Sequence, residues 1–157
     1  IASCLVGSEM CIRDSITIHN MATWMLGTWA TDAVRVEWGE ALTSGRKLAS
    51  YCLTEPGAGS DAGSLKTRAE LAGHEYIING AKAFISGAGS TDMLVLMAKT
   101  GDAGSGASGI SAFAVPADLP GISYGKKEEK MGWNSQPTRV ISFDNVRIPA
   151  HLSLIHI

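Results

Sequence analysis

A chain of 157 residues, 45% of them hydrophobic, can bury one real core and is too apolar for wholesale disorder. Its net charge of -2, with basic residues adjacent only at Arg46-Lys47 and Lys126-Lys127, argues against nucleic acid as the main partner. No apolar run reaches the roughly eighteen residues of a membrane span, and the three cysteines, Cys4, Cys11 and Cys52, lack the spacing of a zinc knuckle or a disulfide framework.

Residues 1–15 do not read as a signal peptide, because the short apolar run Cys4 to Val6 is followed by Glu9, Arg13 and Asp14. From residue 16 the apolar positions 18, 21, 22, 25, 26 and 29 have helical spacing, with Ser15 as the expected N-cap. Thr31-Asp32 starts a second helix through Val34, Trp38 and Leu42, and Gly45 stops it. Trp24, Trp29 and Trp38 are expected to pack into the core.

After Ala49 the period shortens to two. Segments 49–53, 67–72, 75–79, 82–86, 93–100, 110–115 and 138–146 are predicted strands, and Asn79-Gly80 carries the strongest hairpin signal. A helical piece followed by short strands and glycine-rich turns, without βαβ alternation, is α+β organisation with an antiparallel β-barrel or sandwich.

Two segments have the make-up of a ligand site. Tyr51-Cys52-Leu53-Thr54-Glu55-Pro56-Gly57-Ala58-Gly59-Ser60 opens as a strand and ends in a loop of small residues. Such a loop can aim N–H groups and hydroxyls at an anionic or carbonyl-rich ligand, or simply make a tight connection. Glu55 and Asp61 could be paired catalytic carboxylates, but in a tight loop the better reading is acceptors of backbone N–H bonds. The second segment, Phe84-Ile85-Ser86 leading into Gly87-Ala88-Gly89, places an aromatic ring and a hydroxyl on one face of a strand; Phe84 in a core is the plainer alternative.

Other chemistries fail on spacing. Ala58 and Ala62 flank Ser60 where a nucleophile elbow needs glycines. No P-loop occurs, and His19, His74, His151 and His156 do not form a metal-binding pattern.

Taken together, Tyr51 to Pro56 running into Gly59-Ser60-Asp61, with Phe84-Ile85-Ser86 some thirty residues on, resemble the two flavin-contacting stretches of the acyl-CoA dehydrogenase family. Ile18-His19-Asn20-Met21, Lys82 to Gly89 and Gly132 to Arg139 are similar to its isobutyryl-CoA branch. The resemblance covers roughly residues 16–150 and implies the end of an N-terminal helical domain (16–48) joined to a middle β-barrel domain (49–150), with a C-terminal helical bundle to follow. Residues 1–15 and 151–157 resemble no part of the family and are expected to be non-native sequence.

What the resemblance implies chemically is α,β-dehydrogenation of a short acyl-CoA thioester, including branched chains, with FAD as cofactor. A carboxylate removes the α-proton while hydride passes to the flavin. Tyr51, Cys52, Leu53, Thr54, Glu55, Pro56, Gly57, Ala58, Gly59 and Ser60 would line the flavin, with Thr54 near its pyrimidine oxygen. Phe84, Ile85 and Ser86 would complete that lining, Phe84 against the ring and Ser86 near N5, and Ser60 would also reach the acyl-CoA. The family's catalytic base is a glutamate of the C-terminal bundle, so residues 1–157 are expected to hold no catalytic residue and to be inactive alone. Electron-transfer flavoprotein as acceptor, a homotetramer, and a bacterial cytoplasmic or mitochondrial matrix location belong to the same expectation. An acyl-CoA oxidase or flavin monooxygenase shares the domain, and a non-catalytic β ligand-binding module is the alternative from a different class.

Overall fold

A computed structural model describes residues 2–101 and 105–156, with side chains from Ser15 onward and short of His156. Two helices, α1 (Ala2–Trp29) and α2 (Asp32–Thr43), precede eight strands. These are β1 (Ala49–Cys52), β2 (Arg68–Ala72), β3 (Glu75–Ser86), β4 (Met93–Lys99), β5 (Ile110–Pro116), β6 (Ile122–Tyr124), β7 (Thr138–Pro149) and β8 (Ser153–His156).

The helical spacing read from the sequence is the spacing that is buried. Ala22, Met25, Leu26 and Ala30 of the α1 region, and Val34, Trp38 and Leu42 of α2, face the core. Thr31 caps α2, its Oγ1 accepting from Val34 N at 3.4 Å. Gly45, at φ +71°, follows the last turn and donates to Leu42 O. Ser15 is not a cap, because α1 runs through it and a cap works only where helical N–H groups lack partners. Trp24 and Trp29 are not core residues either. They are 60% and 38% exposed and stack edge to face at 4.9 Å on the outer side of α1. The helix pair is tied to the sheet by buried His19, which accepts from Ala49 N at Nδ1 (3.2 Å) and donates from Nε2 to Leu42 O (3.0 Å). Serving a donor and an acceptor at once requires the Nε2–H tautomer.

The strands form one sheet in the order β6-β7-β3-β2-β4-β5-β8, with β1 paired to β4. The expected α+β organisation holds, but the sheet is open and not a closed antiparallel barrel. Its outer strands β6 and β8 pair only with β7 and β5. Two pairings are parallel, β1 with β4 and a single β2–β4 partnership at Arg68 and Lys99. β1 reaches its parallel neighbour β4 only through residues 53–92, a long crossover that includes β2 and β3, as a parallel pairing requires. The centre of the core is β4 against β5, where Met93 to Ala98 and Ile110 to Val115 are all buried. On β7, Ile141, Phe143, Val146 and Ile148 add the inward face.

Asn79-Gly80 is not a hairpin turn. Segments 75–79 and 82–86 are one strand, β3, and the β2–β3 turn is Gly73-His74, with Ala72 opposite Glu75 and Gly73 at φ +66°. Gly80 is needed for a different reason: the β7 register shifts there, φ is +148°, and a Cβ would lie 2.6–2.8 Å from atoms of Thr67. A close-approach glycine and a turn glycine carry the same letters in a sequence. Gly80→Ala is therefore expected to cost about 2 kcal/mol or more, and Gly73→Ala, which meets open space, about 1 kcal/mol. Urea unfolding of both variants checks the order; a larger loss at Gly73 would contradict it.

Candidate functional site

β1 ends at Cys52, and the chain then turns along the start of the β3 end segment, so the two stretches singled out in the sequence lie side by side. Ala83 N donates to Thr54 O at 2.8 Å, and Ser50 Oγ donates to Ser86 O at 2.7 Å. Between them sits Lys82, whose side chain is 0% exposed. Its Nζ donates to Leu53 O at 3.0 Å and to Glu55 Oε1 at 2.8 Å. Glu55 also accepts from Lys66 N at 2.6 Å and from Thr67 N at 2.9 Å. One carboxylate thus joins the loop, the strand and the approach to β2. The 55–58 turn is closed by reciprocal bonds, Glu55 N to Ala58 O at 3.0 Å and Ala58 N to Glu55 O at 3.2 Å.

Burial pushes the Glu55 carboxyl up, but the Lys82 ammonium, the Thr67 side chain and the two backbone N–H groups overcome it and hold it below the ordinary carboxylate range. Burial draws Lys82 down from the usual lysine value, against the opposing pull of Glu55. Both Glu55 oxygens are committed, Oε1 to Lys82 Nζ and Thr67 N and Oε2 to Lys66 N. Glu55 is a structural acceptor, as expected for a carboxylate in a tight loop, and not a free base. Cys52 is buried and pushed up to about 12 by that burial, with Lys82 acting the other way, so it stays a thiol.

The predicted site residues divide cleanly by exposure. The side chains of Cys52, Glu55, Ala58 and Ile85 turn inward, so only their backbone can face a ligand. Tyr51, Leu53, Thr54 and Ser86 are half-buried, and Pro56, Gly57, Gly59 and Ser60 are exposed. A Cβ on Gly57 or Gly59 would meet nothing within 4 Å, so no protein atom demands glycine there and the space before them is open. Phe84 is 67% exposed and not in the core. It holds φ +57°, an uncommon conformation for a bulky residue, at the irregularity where the β3–β7 register shifts between Lys82 and Ile85. The hydroxyls of Thr54, Ser60 and Ser86 and the Thr54 N–H have no protein partner among the described residues.

Sequence reasoning missed how Lys82 is used. It was read as the start of a strand and of the family-like stretch 82–89, although a lysine in a segment otherwise apolar is the signal that a carboxylate must be near. Trp133 lies in the 128–137 loop at φ +56°, half exposed, next to fully exposed Met131. Cavities of about 390 and 440 Å³ are lined by none of the candidate residues. Among the described residues no group of three or more His, Cys, Asp or Glu could hold a metal ion.

Glu55→Gln leaves Lys82 buried without its counter-charge and is expected to cost about 3–5 kcal/mol near neutral pH. Because Glu55 is lowered in the fold, its stabilisation is complete above the unfolded value of about 4.3 and is lost as pH falls through the folded value. The gap between wild type and variant should therefore close in acid. Unfolding curves recorded from neutral to acid pH check this, and a gap that widens on acidification would contradict it.

Known proteins resemble this chain in sequence and in fold. The family model for the acyl-CoA dehydrogenase middle domain matches residues 50–146. The mitochondrial isobutyryl-CoA dehydrogenase of Dictyostelium discoideum is 48% identical over 149 residues, covering 95% of this chain and 36% of that protein. The structure of butyryl-CoA dehydrogenase from Megasphaera elsdenii superposes with a TM-score of 0.89 at 33% identity, covering 92% of this chain and 38% of that one. Glutaryl-CoA dehydrogenase from Mycobacterium smegmatis, solved in complex with FADH2, gives 0.78 at 29% identity, over 87% of this chain and 34% of that one. The chain thus spans roughly a third of the length of the relatives it matches. With residues 50–146, well over half of its length, inside the family's middle domain and a relative 48% identical over 95% of the chain, this chain belongs to the acyl-CoA dehydrogenase family.

Proposed function

We propose that this chain is the cofactor- and substrate-binding segment of an FAD-dependent acyl-CoA dehydrogenase acting on short acyl-CoA thioesters, including branched ones. The observation that carries the reading is the seam between residues 53–60 and 84–86. Two separate stretches are locked together from behind, and their unpartnered donors and one exposed aromatic ring are left at the surface. Those groups suit a flat, acceptor-rich ring system. FAD, when bound, would supply the hydride-accepting chemistry.

In this reading the Thr54 N–H and hydroxyl donate to the pyrimidine edge of the flavin, Ser86 donates near N5, and Phe84 lies along the ring. Ser60, beyond the 55–58 turn, donates toward the acyl-CoA. Exposed Gly57 and Gly59 leave room for a pantetheine chain. Glu55 is committed to Lys82 and so is unsuited to α-proton removal; the base that the family resemblance implies is a glutamate of the C-terminal bundle. We further propose residues 16–48 as the end of a helical domain and 49–150 as the middle domain, with 1–15 and 151–157 of non-native origin. Electron-transfer flavoprotein as acceptor, a homotetramer, and a mitochondrial matrix or bacterial cytoplasmic setting complete the proposal. No helix among the described residues is long and apolar enough to cross a membrane.

The test is anaerobic mixing of the full-length native gene product with isobutyryl-CoA and butyryl-CoA, followed by flavin absorbance. Bleaching by either thioester is expected, with electrons passed on to electron-transfer flavoprotein and not to oxygen. A flavin-free protein, or a flavin that no acyl-CoA bleaches, would overturn the reading. Ser86→Ala should slow bleaching about tenfold, one hydrogen bond's contribution to the reacting geometry, with little change in stability. An unchanged rate would remove Ser86 from that role.

A further inference from the structure

Lys82 invites a question that packing does not answer. A buried ammonium is costly, and an apolar side chain of similar length would fill the same space. What an apolar residue could not do is hold the Leu53 carbonyl. That peptide is trans and planar, as no cis bond occurs among the described residues. In such a unit the C=O and the following N–H point in opposite directions. Drawing Leu53 O inward, 3.0 Å from Lys82 Nζ, therefore turns the Thr54 N–H outward. The next unit is fixed as well, with Thr54 O on Ala83 N at 2.8 Å and Glu55 N on Ala58 O at 3.0 Å. Of the N–H groups on these two units, Thr54's alone has no protein partner among the described residues.

Building on the flavin reading above, we propose that Lys82 is a positioning residue for cofactor binding. Anchored by Glu55, its ammonium holds the Leu53 carbonyl inward and so presents the Thr54 N–H and hydroxyl to an acceptor at the surface. The pair also sets the spacing between the loop and the 84–86 stretch, because Lys82, two residues before Phe84 on the same strand, is bonded to both Leu53 O and Glu55 Oε1. Lys82 itself touches no ligand.

The experiment uses the full-length protein stripped of flavin and titrated with FAD, comparing wild type with Lys82→Met. Flavin fluorescence gives affinity, thermal unfolding of the apoprotein gives stability, and hydrogen exchange resolved at the Thr54 amide reports the N–H directly. We expect FAD to bind about tenfold more weakly to the variant, the effect of one lost hydrogen bond. We expect Thr54 exchange to slow about tenfold on FAD binding in wild type and to change less in the variant. A variant that binds FAD with wild-type affinity, or a wild-type Thr54 amide that FAD leaves unprotected, overturns the proposal. If Lys82→Met does not fold, the wild-type exchange measurement decides alone. A wild type that takes up no FAD would instead remove the functional reading on which the proposal rests.

Discussion

An ammonium with none of its surface exposed must be neutralised where it lies, and the site is arranged around how Lys82 achieves this. Its counter-charge is 2.8 Å away on Glu55, and that carboxylate takes two further N–H bonds from the residues leading into β2. Neither charge could be removed alone without stranding the other in a low-dielectric interior. Three stretches distant in sequence, 53–55, 66–67 and 82–83, are consequently held in one register. The hydrogen bonds from Ala83 N to Thr54 O and from Ser50 Oγ to Ser86 O follow the same seam.

A rigid back and an open front are complementary demands on one segment. Behind the seam lie β4 and β5, buried from Met93 to Ala98 and from Ile110 to Val115, which leaves the loop little freedom to settle. In front, the glycines at 57 and 59 meet nothing, Phe84 is held outward in a conformation that costs backbone energy, and hydroxyls stand without partners. Strain and unsatisfied donors clustered on a fixed scaffold are the physical signature of a binding surface. Elsewhere in the chain the unusual backbone is structural. Gly80 allows the passage of Thr67, and a Cβ on Gly121 would clash with Asp144 O.

Much of this could be read from residue order, for reasons that differ from element to element. α2 has an apolar residue every fourth position, a capping threonine and a terminating glycine, all local signals, and it folds accordingly. Six of the eight described strands were likewise legible, but three-residue β6 is too short to show a period, β8 was not expected, and β4 and β5 are continuous apolar runs buried on both faces. What escaped was set by partners far along the chain. Asn79-Gly80 has the composition of a turn, but its glycine answers to Thr67 across the sheet. Trp29 follows helical spacing and Trp24 has helical neighbours, yet both lie on the face of α1 that the sheet does not cover. Sheet closure depends on which outer strands meet, and nothing local encodes it. At the site, the identities of residues 51–60 and 84–86 pointed to flavin only through family resemblance. Their adjacency, and Lys82 as the link, emerged from tertiary contacts.

The central claim is that the seam between residues 53–60 and 84–86 is where the flavin ring rests. A crystal structure of the full-length protein with FAD bound tests it most directly. The claim predicts the isoalloxazine ring against Phe84, within hydrogen-bonding distance of the Thr54 N–H and the Ser86 hydroxyl, with Lys82 still on Leu53 O and Glu55. A flavin bound away from this seam, or one bound here only after the Lys82–Glu55 pair has opened, would contradict it.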